Sequence, residues 1–105
     1  GEVHAKAWKT YEQHCQRCHG TDGKGVGVWS SFLNTKARDL TDPRMMGART
    51  DGEVFWAITK GIKGIMPPFG DSLTESDRWG LVHLIRGMSN TKARQIPGNV
   101  PEQDP

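Results

Sequence analysis

Cys15-Gln16-Arg17-Cys18-His19 constrains this chain more than any other stretch. Two thiols three residues apart, followed at once by an imidazole, admit four chemistries. A thioredoxin-like redox pair needs a βαβ surround, and no strand pattern flanks the motif. Tetrahedral zinc needs four ligands. Cys15 and Cys18 are the only cysteines, so His14 and His19 would have to close the set from positions interleaved with the same thiols. A disulfide across two intervening residues is the plainest alternative. The reading the five residues favour is Cys-x-x-Cys-His as the attachment signature of a c-type haem. Each thiol can add to one vinyl group, and His19 is then held where it can bind the iron.

The chain has 105 residues, which predicts one domain. No apolar run approaches membrane-spanning length. The start, Gly1-Glu2-Val3-His4, lacks the basic stretch and apolar region of a secretory signal, as expected of a mature chain. Leu, Ile, Val and Phe supply only 19 of the 105 residues. So thin an aliphatic content suggests disorder when net charge is high, but here the formal charge is +2. Four Trp and four Met add apolar bulk, which is consistent with a core built around a cofactor. Basic and acidic residues are mixed along the chain without a basic block, which argues against a nucleic-acid-binding arm.

Ala7, Trp8, Tyr11 and Cys15 recur at helical spacing and predict a first helix from Val3 to Cys15. Gly20 to Gly27 is a loop with Gly at 20, 23, 25 and 27. No strand precedes it and no Gly-Lys-Ser/Thr follows, so a phosphate site is disfavoured; a backbone that wraps closely around a flat ring is the better use of such glycine. Asp42-Pro43 opens a short helix. Thr50 and Glu53 form a capping box for a helix carrying Val54, Phe55, Ile58 and Ile62, ended by Gly61 or Gly64. Thr74 caps the last helix, whose stripe is Leu81, Leu84, Ile85 and Met88. Residues 89–105 are polar with three prolines and read as a tail after a domain over 1–88.

Ile65-Met66-Pro67-Pro68-Phe69-Gly70 is the second informative stretch. Two prolines cannot continue a helix and stiffen the backbone, so the Met66 sulfur can be presented at a fixed place, 47 residues after His19.

With these two stretches and this helix order, the chain resembles the class I c-type cytochromes, the small bacterial monohaem group, from Val3 to Met88. The resemblance implies an all-α cytochrome c fold: N- and C-terminal helices cross, and short helices and loops wrap around one haem. It implies one covalently attached haem c on Cys15 and Cys18, with His19 and Met66 as axial iron ligands. Ala7 and Tyr11 stand where the first helix packs on the last, against Leu81 and Leu84 with Trp79 at the edge. The family often has Gly at the position of Ala7, which implies a wider crossing here. In the family the loop after the motif supplies a carbonyl to the proximal histidine, often beside a proline; Val28 stands there instead. Arg38 resembles a propionate-edge residue, and Trp56 is a candidate for a propionate or haem-edge contact. Lys24, Lys60 and Lys63 are candidates to steer an acidic partner.

The implied function is one-electron transfer between a donor and an acceptor redox protein, without catalysis, outside the cytoplasm in the periplasm, with neither nucleic acid nor a membrane span involved. Two alternatives stay open. One is a haem-bearing subunit of a larger oxidoreductase complex, with the tail, Trp29 and Phe32 as contact surface. The other is a ligand-binding haem protein with a displaceable distal Met, for which His4, His14, His83, Met45, Met46 and Met88 are the other candidate ligands.

Overall fold

The structure is a computed structural model that describes residues 2–33 and 35–90. Over these the chain is all-α: α1 (Glu2–His14), α2 (Gln16–His19), α3 (Pro43–Gly47), α4 (Asp51–Lys60) and α5 (Glu75–Ser89), with a 3₁₀ turn at Ser30–Phe32. The sole β-type pairing among these residues is an isolated bridge between Ile62 and Met66.

α3, α4 and α5 each start where a side chain satisfies open N–H groups. Asp42 Oδ1 accepts from the N–H groups of Arg44 and Met45, with Pro43 at the first position. Thr50 and Glu53 make the full reciprocal box that opens α4, at 3.1 and 2.8 Å. Thr74 Oγ1 accepts from the Asp77 N–H at 3.0 Å. The Asp77 carboxylate also reaches Lys6 Nζ on α1, at 3.1 Å. Gly61 ends α4. α5 runs one residue past the expected Met88, and Asn90, at φ +56°, caps it in the left-handed region. The rest of the expected tail lies outside the described residues.

α5 is the hub: α1, α3 and α4 all pack on it. Leu81, Leu84 and Ile85 are buried as the stripe predicts, in one cluster with Ala7 and Tyr11. Ala7 itself faces Gly80, where an added methyl would sit 3.5 Å from the Ala7 Cβ. A small residue on α5 thus faces Ala7. Trp79 packs toward α4. It is buried and stacks on Phe55 of α4, ring centroids 4.1 Å apart. The reason is a second buried row on α5, Trp79, Val82, Arg86 and Ser89, which turns toward the α3–α4 side.

Candidate haem site

α1 stops at His14 and a new turn, α2, carries the motif. Cys15 accepts at its carbonyl from the N–H groups of Cys18 (3.2 Å) and His19 (2.9 Å). This single turn brings both thiols and the imidazole to one side, and all three line one cavity of about 490 Å³, within the ~300–1,000 Å³ typical of cofactor sites. The thiols are not joined to each other. Burial pushes the Cys15 thiol up to about 12, against the lowering effect of Arg17 and with a further rise from Cys18. Among the described residues no three or more of His, Cys, Asp and Glu cluster as metal ligands.

His19 is oriented from behind. Its Nδ1 lies 3.1 Å from the carbonyl oxygen of Arg38. A carbonyl can only accept, so Nδ1 carries the proton and Nε2 keeps its lone pair. Burial lowers the pKa of His19, and the Arg38 hydrogen bond partly offsets this. The neutral ring is the form that can ligate a metal. The carbonyl therefore comes from Arg38 and not, as expected, from the glycine loop. The loop's part is to bring Arg38 within reach. Gly25, at φ +95°, lies so close to the 37–38 backbone that an added Cβ would be 2.6 Å from the Ala37 oxygen. Its N–H donates to the His19 carbonyl at 2.8 Å, and the Leu40 N–H donates to the Gly23 carbonyl at 2.6 Å. Tyr11 fastens the start of the same loop, its buried hydroxyl donating to the Gly20 carbonyl at 2.5 Å.

Met66 lines the same cavity. Its backbone exchanges two 2.8 Å hydrogen bonds with Ile62, and Pro67 and Pro68 stiffen the chain beyond it. Gly61 (φ +65°) makes this turn possible: a Cβ there would lie 2.7 Å from both the Pro67 carbonyl carbon and the Pro68 nitrogen. The Phe69 and Gly70 N–H groups then tie the loop to the Ile58 and Thr59 carbonyls at 3.0 Å. Met66 lines the cavity together with Cys15, Cys18, His19 and Arg38; most of the remaining wall is apolar, with Leu33, Leu40, Val54, Ile58 and Ile85 among it.

Not every expected residue comes to this cavity. Trp56 is 55% exposed, does not line the cavity, and has Lys60 Nζ 5.3 Å over its ring. It lies two positions from both Val54 and Ile58, on the opposite, solvent side of α4. Lys24, Lys60 and Lys63 are absent from the lining as well, whereas Lys36 is present. Of the other candidate ligands, His14, Met45 and Met46 line the cavity and His83 and Met88 do not; the side chain of His4 lies outside the described residues. Arg49 and Glu53 also line it and had no distinguishing pattern in the sequence beyond the capping box that Glu53 completes.

Residues 2–85 match the family described as cytochrome c oxidase, cbb3-type, subunit III. The chain belongs to that family. It is similar to the solved c-type cytochrome KustC0563, at 31% identity and a TM-score of 0.70, over 82% of this chain and 98% of that one. A point mutant of the same cytochrome gives 30%, 0.69, 79% and 98%. A chain of the Kuenenia stuttgartiensis reducing HAO-like protein complex Kustc0457/Kustc0458 is 28% identical with a TM-score of 0.73, over 83% of this chain and 44% of that one. No curated protein matches the chain. This member of the cbb3-type subunit III family is thus a small c-type cytochrome of all-α cytochrome c fold, a haem c protein of electron transfer. Among the described residues no helix is long and apolar enough to cross a membrane.

Proposed function

We propose that the chain carries one haem c, bound by thioethers from Cys15 and Cys18 and ligated by His19 and Met66, and that it passes single electrons between two redox proteins outside the cytoplasm without catalysing a reaction itself. The observation that carries this reading is one cavity lined by two thiols, an Nδ1-protonated imidazole and a proline-flanked methionine. The donor set fits the group: soft thioether, neutral imidazole and a mostly apolar surround. When bound, haem supplies reversible one-electron chemistry.

The residues of the chain do the rest. With His19 and Met66 both holding the iron, no position would be left for a small ligand, which would favour electron transfer over catalysis. The Met66 thioether favours the ferrous state, and the apolar wall disfavours the extra charge of the ferric state; both raise the reduction potential. Arg38 is exposed at the cavity, where its guanidinium is available to a propionate while its carbonyl holds His19.

The mass of the purified protein after denaturation tests attachment. One haem's mass retained, and lost in a Cys15→Ala/Cys18→Ala double variant, is the expected result; haem that dissociates on denaturation overturns it. A second reading, a subunit of a larger redox assembly, draws support from the similarity to a chain of a complex in which this fold covers 44% of the chain. Co-purification with a second redox protein in stable stoichiometry would favour it.

A further inference from the structure

Arg86 is 4% exposed and Asp51 is 5% exposed. A buried guanidinium is tolerated when its donors find acceptors, and here all three nitrogens do. Nε donates to Asp51 Oδ1 at 2.8 Å, Nη1 to the Met46 carbonyl at 2.5 Å, and Nη2 to the Arg49 carbonyl at 2.6 Å. The acceptors span the end of α3, the turn that follows and the first residue of α4. Met46 and Arg49 line the haem cavity, as does Ile85, the neighbour of Arg86 on α5. One side chain on the hub helix thus grips, from behind, the backbone of the wall formed by residues 46–49. The planar fork matters: a lysine ammonium carries the same charge but cannot reach three acceptors in one plane.

We propose that Arg86 is a positioning residue for the haem, with Asp51 as its counter-charge. Through two carbonyls it holds the Met46–Arg49 wall against the ring, and paired with Asp51 it keeps a neutral group behind that wall. This rests on the haem reading above. It adds a determinant of reduction potential that touches neither iron nor ring. The signs follow from charge. Removing the Asp51 carboxylate leaves a positive charge behind the wall, which disfavours the ferric state.

The test uses the matured, haem-bearing protein. Asp51→Asn is expected to shift the redox equilibrium toward the reduced form by about tenfold, 59 mV for a one-electron couple. Asp51→Glu, which restores the charge, returns most of it. Arg86→Lys is expected to keep the c-type absorption spectrum while weakening the circular dichroism of the Soret band, as the wall loosens. Leu84→Val, in the core stripe away from the clamp, is the control for plain destabilisation and leaves both readouts unchanged. Wild-type potential in Asp51→Asn, or wild-type Soret dichroism in Arg86→Lys, overturns the proposal even if both variants melt earlier. If Arg86→Lys fails to mature, the Asp51→Asn and Asp51→Glu pair decides. Absence of haem from the wild-type protein is a separate outcome and strikes the underlying reading instead.

Discussion

His19 Nδ1 lies 3.1 Å from the carbonyl oxygen of Arg38, so a backbone atom of one residue fixes which nitrogen of the other faces the cavity. Because the partner is backbone, the Arg38 side chain is dispensable for it. Arg38→Ala is expected to leave the absorption spectrum and His19 ligation intact. Gly25→Ala is the disruptive change. It forces a left-handed φ on alanine and drives a methyl into the Ala37 carbonyl, at a cost of about 1–3 kcal/mol. Thermal melting of the two variants checks the contrast.

Gly61 and Gly87 should respond in opposite directions to the same substitution. At Gly61 a methyl meets the Met66–Pro68 backbone, whereas at Gly87, inside α5, it meets nothing within 4 Å. Gly61→Ala is expected to displace the Met66 loop and weaken methionine ligation with haem retained. Gly87→Ala is expected to stabilise by about 0.5–1 kcal/mol, the propensity difference in a helix interior. Denaturant titration and the ferric spectrum measure the two effects.

Tyr11 predicts an alkaline limit to stability. Burial raises its pKa above the ordinary value of 10.0, and nearby Asp22 adds to the rise. A group whose folded pKa is raised contributes stability that is complete below its unfolded pKa. As pH climbs past that value the unfolded chain sheds the proton first, and the contribution shrinks. Stability from this group should therefore be flat up to about pH 10 and fall above it. Tyr11→Phe should flatten the alkaline fall. It should also cost about 1–2 kcal/mol at neutral pH, because the Gly20 carbonyl loses its buried donor. Melting curves from pH 7 to 11 test both.

The parts of this molecule that announce themselves in the sequence are those written in side chains at fixed spacing. Cys15, Cys18 and His19 sit in one turn, Thr50 and Glu53 cap a helix, and Met66 precedes two prolines. Each is a local pattern with a local physical cause. The acceptor for His19 was not legible because any residue has a carbonyl; only the glycine loop's path selects that of Arg38. Arg86 was missed for the converse reason. A charged residue beside a helical apolar stripe ordinarily faces solvent, and its burial depends on three acceptors that come from 35 to 40 positions away. Trp56 diverged because it stands two positions from both Val54 and Ile58, on the exposed side of α4.

Three methionines, Met45, Met46 and Met66, line the cavity, and the account assigns the iron to Met66 alone. The direct test is the visible spectrum of the purified protein, oxidised and then reduced, for the wild type, Met66→Ala and Met46→Ala. A c-type ferrous spectrum is expected in all three. The weak far-red band of methionine-bound ferric haem is expected in the wild type and Met46→Ala, and its loss in Met66→Ala. A far-red band that survives Met66→Ala, or is absent from the wild type, contradicts the assignment of Met66 and with it the closed, electron-transferring site.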